Sequence, residues 1–305
     1  MESALSLGIA LLTAPLFPGL ILKVKAFFAG KKGPPLLIKY YTLMKLFRKG
    51  SVYSTSTTFV FRMGPLVSCA GGIMVLLFFP LGGGVPLVSF HGDAILIFYI
   101  LAVGRFFTIA AALDTASPFQ GMGAAREAFF GALAEVTIFA TLILFYRMTG
   151  ALGFGEYFTG AAPISLFGRE GALLVLVIVA MFMILLTENS RVPVDDPATH
   201  LELTMIHEVM ILDHSGPDLG LIELASFYKL FFYAAFVSLI ICPLDPTRGL
   251  ANLPVFYGVI ACIYLAVGLV ESATARLKMD RVAKFILTSG TLVFFAAILT
   301  MGFVQ

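Results

Sequence analysis

Charged side chains are scarce in this chain: Asp, Glu, Lys and Arg make up 12% of 305 residues, against 59% hydrophobic. That scarcity excludes a water-soluble globule, because too few polar groups exist to cover a folded surface of this size. The net charge of +2 is small and the basic residues cluster in loops, so no nucleic-acid partner is expected. Cysteine is scarcer still. Cys69, Cys242 and Cys262 lie in separate apolar runs without CxxC spacing, which supports neither an iron–sulfur cluster nor a disulfide framework. Histidine fails a b-type haem in the same way, since His200, His207 and His214 share one loop and His91 lies in another. The seven-residue spacing of the first three would put them on one helical face, wider apart than the pairs zinc uses, and surface or capping roles are expected. Phosphate loop, dinucleotide glycine fingerprint and nucleophile elbow are all missing. No metal site, no cofactor and no catalytic residue is expected on this chain.

What fills the sequence instead is hydrocarbon, with thirty Phe and a mean hydropathy of +0.98. Runs long enough to cross a bilayer, about 20 apolar residues each, fall at about Ala4 to Val24, Phe59 to Phe79, Ala94 to Leu113, Ala128 to Tyr146, Gly171 to Leu186, Leu219 to Cys242, Val255 to Val270 and Phe285 to Val304. The expectation is an all-α polytopic membrane protein with eight transmembrane helices, a single integral-membrane domain over residues 1–305. Glu2 precedes the first run and no basic segment does, so that run is read as a span rather than a signal peptide. Lys and Arg concentrate between alternate spans: Lys23, Lys25, Lys31, Lys32, Lys39, Lys45, Arg48 and Lys49, then Arg126, Arg191, Arg276, Lys278, Arg281 and Lys284. The other connections hold only Arg147, Arg169 and Arg248. Positive charge stays on the cytoplasmic side, so both termini are expected on the other side of the cytoplasmic (inner) membrane.

Two segments stand out from the spans. From Leu36 to Lys49, Leu36, Tyr40, Leu43, Met44 and Phe47 recur at helical spacing while Lys39, Lys45 and Arg48 take the other side, as in a helix lying in the interface. Its basic face either meets anionic lipid or docks a cytoplasmic partner. The second segment, Thr187 to Lys229, holds eight of the eighteen acidic residues and three of the four histidines. Pro193 and Pro197 stop the fifth span, and a new helix is expected from Asp196 or Thr199 to about Asp213, carrying Glu202 and Glu208. The functional cytoplasmic loop so defined, about 187–218, serves as an acidic docking face or a proton antenna. The connections at Leu81 to Ser89 and Gly150 to Ser165 read as plain connectors.

Ionisable groups within or at the ends of spans are the strongest functional signal: Arg62, Arg105, Glu135, Glu188, Glu223, Lys229 and Glu271. A charge at a helix centre costs about 2.5–3.5 kcal/mol on insertion scales. Arg62 and Glu271 are near enough to an interface to snorkel. Arg105, Glu135 and Lys229 are too deep, and should face the bundle interior and pair, either as structural ion pairs or as a path for protons.

The string ENSRVPVDDPATHLELTMIHE, followed by SGPDLGLIE, resembles the signature loop of the membrane subunit of group 4 membrane-bound nickel–iron hydrogenases and of formate hydrogenlyase. These are similar in turn to the proton-channel subunit of respiratory complex I. GKKGPPLL near Gly30, FRMGPLV near Arg62 and DTASPFQGMGAAREAFFGALAE from Asp114 to Glu135 extend the resemblance over essentially the whole chain. DDPATHLELTMIHE favours the hydrogenase branch over the quinone-reducing one. The resemblance implies an eight-helix anchor between antiporter-like membrane subunits and a peripheral arm of hydrogenase large and small (iron–sulfur) subunits, which would hold the nickel–iron site and iron–sulfur clusters. It implies that Glu135, Glu188 and Glu223 line a proton path, with Arg126 and Arg191 at its interfacial basic positions; Arg105, Lys229, Asp195, Asp196, Glu202 and Glu208 are expected as supporting charges. The basic loop (Lys39, Lys45, Arg48) and Asp195 with Asp196 are expected to form the landing site of the arm. A passive anchor with structural charges, and a quinone-binding subunit of an NADH dehydrogenase, are the alternatives.

Overall fold

The computed structural model describes residues 2–159, 164, 166, 171–196 and 205–303. Among the described residues the architecture is all-helical, and eight helices are long and apolar enough to cross a membrane. The first crossing is two helices, α1 (Glu2–Thr13) and α2 (Phe17–Phe28), because Pro15 removes a helix N–H. Pro18 then sits in the first turn of α2, where no N–H is missed. In chain order follow α3 (Ile38–Phe47), α4 (Phe59–Phe78), α5 (Asp93–Asp114), α6 (Pro118–Thr149), the short α7 (Phe154–Thr159), α8 (Gly171–Glu188), the four-residue α9 (His207–Met210), α10 (Gly216–Ile241), α11 (Leu253–Ala273) and α12 (Met279–Phe303). α6 and α12 start earlier than expected, at Pro118 and Met279, because charges, Arg126 and Glu127 in α6 and Asp280, Arg281 and Lys284 in α12, precede the apolar runs that mark the spans. Thr58 caps α4 by accepting from the Val60 N–H, and its own N–H donates to Asp114 at the end of α5 at 2.6 Å. Such a cap contributes about 1 kcal/mol, and here it also ties α4 to α5.

α10 is the enclosed centre of the bundle, and from Leu230 to Ile240 it is buried and almost wholly apolar on every side. Its Phe232 and Phe236 meet Phe98 of α5 and Phe154 of α7 at ring separations of 5.2 to 6.4 Å. Contacts of this kind contribute about 0.5–1.5 kcal/mol beyond the area they bury. Against α4 the approach is close: a Cβ on Gly72 would stand 3.1 Å from Tyr228 Cβ. Phe106, Phe294 and Phe295 point outward, as lipid-facing side chains do.

Several expectations change. The stretches read as connectors hold packed structure, with Phe154, Tyr157 and Phe158 buried and the Phe154 N–H donating to buried Asp93 at 2.8 Å. α3 is rotated from its expected setting. Leu43 and Leu46 are its buried side chains, while Leu36, Met44 and Phe47 are exposed. Lys39, Leu43 and Leu46 share one face by i, i+4, i+7 spacing, and the Lys39 ammonium sits 5.5 Å from the Phe227 ring of α10. A lysine can line a packing face because its stem is apolar. Leu37, Tyr41 and Met44 form an opposite face that is open.

The expected loop helix to Asp213 is not continuous either. Met205 and Ile206 are not helical, because Asp195 accepts from the N–H groups of Ile206 and His207, each at 3.1 Å. That satisfies otherwise unpaired donors where α9 begins. Pro197, Thr199, His200 and Glu202 lie outside the described residues. His214, expected at the surface, is buried and stacked on Phe61 with ring centroids 3.9 Å apart. Burial drives its pKa down to about 4.

Candidate functional site

Arg105 of α5 gathers three carboxylates. Its guanidinium donates to both oxygens of Glu188 at 2.7 Å and to Glu135 of α6 at 3.2 Å, and its Nε lies 4.0 Å from Glu127. Lys229 of α10 reaches the same Glu188 at 2.9 Å, and the Tyr233 hydroxyl is a further hydrogen-bond partner of that carboxylate. Glu188 stands at the C-terminal end of α8, where the helix dipole opposes a negative charge. Two cations at hydrogen-bonding distance offset that. Gly131 makes the site possible, since a Cβ there would overlap the Arg105 guanidinium. The cluster opens onto a cleft of about 710 Å³, counting the space at its mouth. Arg105, Glu127, Glu188 and Lys229 line it together with Ser68, Thr108 and Ser226.

A second cluster joins the ends of other helices. Glu271 of α11, with a side chain 1% exposed, pairs with Lys25 of α2 at 3.0 Å and Arg191 at 3.4 Å. Lys25 also lies 4.0 Å from Asp196, and the neighbouring Asp195 pairs with Arg276 at 2.7 Å. Glu271 therefore does not snorkel; it is buried and doubly paired. Asp195, expected on a docking surface, is likewise buried.

The structure brings Arg105, Glu135, Glu188 and Lys229 together, and three other residues singled out in the sequence sit elsewhere. Arg191 belongs to the second cluster. Arg126 donates to the Met205 carbonyl at 2.9 Å, bracing α6 against the start of α9. Glu223 lies six residues before Lys229, about 9 Å along α10, and does not line the cleft. Its Oε2 is buried without a hydrogen-bond partner. Glu135, expected to face the interior, keeps 37% of its side chain exposed. Glu208 sits on α9. Among the described residues, no group of three His, Cys, Asp or Glu side chains is arranged to hold a metal ion.

A family model described as NADH dehydrogenase matches residues 2–302. The chain belongs to that family. Formate hydrogenlyase subunit 4 of Escherichia coli K12 is 29% identical over 276 residues, 88% of this chain and 87% of that protein. Hydrogenase-4 component C of the same organism is 34% identical over 143 residues. That second match takes in 47% of this chain and 45% of the relative, less than half of its length. A chain of the membrane-bound sulfane sulfur reductase, an archaeal respiratory membrane complex, shares the fold with a TM-score of 0.83 and 22% identity, over 98% of both chains. The multi-pass membrane architecture and the hydrogenase-type relatives expected from the sequence are thus both found.

Two members of the cluster escaped sequence reasoning, although a signal for one was present. Glu127, Gly131 and Glu135 stand at i, i+4 and i+8 of one helix, so they share a face, with the glycine as the gap between two carboxylates. Tyr233 had no such mark, being one aromatic among many on α10.

Proposed function

We propose that this chain anchors the peripheral arm of a membrane-bound hydrogenase complex of the formate hydrogenlyase kind and couples its redox reaction to ion movement through the carboxylates around Arg105. The two Escherichia coli relatives support the hydrogenase assignment. Hydrogenase large and small subunits would then hold the nickel–iron site and iron–sulfur clusters, and antiporter-like subunits would lie beside this chain in the membrane. The whole chain forms one integral-membrane unit of the cytoplasmic membrane. Its basic connections face the cytoplasm and both termini face the other side, as the distribution of Lys and Arg favours.

One observation carries the coupling reading: Glu188 is shared by Arg105 and Lys229 beside an open cleft, while Arg105 also holds Glu135. Protonating either carboxylate releases part of the guanidinium to strengthen its hold on the other. A charge change at the cleft thereby alters proton affinity at the next site, because a nearby opposite charge favours the ionised form and its loss favours the neutral one. Glu188→Gln keeps the volume and removes the titration. The complex should assemble with all subunits and evolve hydrogen from an artificial donor, while gradient formation by inverted vesicles falls at least tenfold. An assembled variant that pumps at the wild-type rate would leave the passive anchor as the better account.

A second reading, quinone binding, is favoured by the apolar part of the cleft lining: Ile100, Leu101, Met210, Ile222 and Ala225. Small-molecule sites are mostly apolar, with a few placed polar groups. Co-purifying subunits separate the two readings, because an NADH-oxidising module would support the quinone and a nickel-binding large subunit the hydrogenase.

A further inference from the structure

Within α6, Glu135 is the single charged residue between Glu127 and Arg147. At 1.5 Å per residue it lies about 12 Å from the first and about 18 Å from the second, a depth from which a glutamate side chain cannot reach an interface. Arg105 covers one side of it at 3.2 Å, yet 37% of the side chain stays open. The surroundings of that opening are outward-facing too: Phe129 is 57% exposed and Val136, the next residue, 67% exposed. Lipid supplies no hydrogen bond to a carboxylate, and a polar group left facing hydrocarbon at this depth is strongly disfavoured. The cluster also carries a surplus, with two cations, Arg105 and Lys229, against three carboxylates, Glu127, Glu135 and Glu188. The surplus member on the outside is Glu135.

We infer that the outer face of α6 around Glu135 and Val136 is covered by a transmembrane helix of a different membrane subunit, which presents a hydrogen-bond donor to the Glu135 carboxylate. A second copy of this chain fits poorly. A two-fold contact through this face is self-complementary, so it would set Glu135 against Glu135, placing like charges together where another carboxylate surplus already exists. Charge complementarity selects a partner that donates. The inference builds on the coupling reading only in that it shares Glu135; the contact itself does not require that ions move.

The test is photo-crosslinking in native membranes of the whole complex, with Val136→benzoylphenylalanine, an exposed position that does not line the cleft. Illumination should join this chain to one other membrane-spanning polypeptide of the complex, identified by mass spectrometry. Adducts with lipid alone, or with a second copy of this chain, would overturn the inference. Two further variants separate the contact from the coupling. Glu135→Leu, which cannot accept the bond, should lower retention of that neighbour after detergent extraction at least threefold, whereas Glu135→Gln should retain it within a factor of about 1.5. If Glu135→Gln keeps both the neighbour and wild-type pumping, the coupling reading loses this carboxylate while the interface stands. If Glu135→Leu retains the neighbour as well as the wild type does, the donor contact is refuted.

Discussion

Two buried ion clusters, built from the same side-chain chemistry, occupy this bundle in different ways. Each has a carboxylate near the C-terminal end of a membrane helix, Glu188 on α8 and Glu271 on α11, held by two cations against an unfavourable dipole. In the second cluster, among the described residues, Lys25, Arg191 and Arg276 face Glu271, Asp195 and Asp196, and the Glu271 and Asp195 side chains are each 1% exposed. None of these six lines the cleft. The Arg105 cluster has more carboxylates than cations, opens to the cleft, and leaves Glu135 partly uncovered. A closed cluster whose carboxylates are buried and paired has one good arrangement and fastens helix ends. An unmatched, open one has several of similar energy, and can change state when a proton or a neighbouring charge arrives.

If that contrast holds, breaking the closed cluster should damage the structure and little else. Glu271→Ala strips Lys25 and Arg191 of a shared buried partner, and losing one side of a buried pair costs about 3–5 kcal/mol. Thermal inactivation of the purified complex should shift down markedly and yield should fall, while ions moved per hydrogen evolved stay normal in the complexes that assemble. Unchanged stability with lost pumping would reverse the roles assigned to the two clusters.

A smaller effect tests the packed junction of His214 on Phe61. Unfolded, His214 takes up its proton near 6.5; folded against Phe61, burial holds its pKa down to about 4. Between those values the unfolded chain binds more protons, so stability falls as pH drops through this window, by up to about 3 kcal/mol in all. Thermal inactivation measured from pH 7 to pH 4 should show that loss, and His214→Phe should remove this part of the slope. An identical slope in the variant would place the acid sensitivity elsewhere.

The smallest effect is expected at the surface. Lys45 and Arg48 are exposed, and exposed ion pairs are worth at most about 1 kcal/mol each and are screened over about 8 Å at physiological ionic strength. Charge reversal at both should release the peripheral arm at modestly lower salt. Lys39→Glu should instead loosen α3 from α10, because that ammonium rests on Phe227. Equal salt sensitivity in all variants would remove the basic helix from the docking surface.

The spans were legible because lipid leaves a helix little choice of composition, and the deep charges Arg105, Glu135 and Lys229 announced themselves by their cost. What could not be read was rotation and partner choice. α3 has apolar side chains on two faces, so periodicity could not say that Lys39, Leu43 and Leu46 would turn inward. Glu271 looked close enough to an interface to escape burial, and only the fold brings Lys25 and Arg191 to it from distant parts of the chain. Arg191 lies three residues from Glu188 in sequence, yet the turn after α8, with Ser190 at φ 50°, sends the two to different clusters. Asp195 looked like half of an acidic docking pair, but its acceptance from Ile206 and His207 and its pairing with Arg276 are contacts no local pattern announces.

The central claim, that the open cluster moves charge and the closed one fastens helices, is tested most directly by one ratio measured side by side. Glu188→Gln and Glu271→Gln would be placed in otherwise identical complexes, and ions translocated per hydrogen evolved would be recorded in inverted vesicles, normalised to assembled complex. The account predicts a fall of at least tenfold for Glu188→Gln and a change of less than about twofold for Glu271→Gln. Equal falls in both, or a normal ratio in Glu188→Gln, would contradict it.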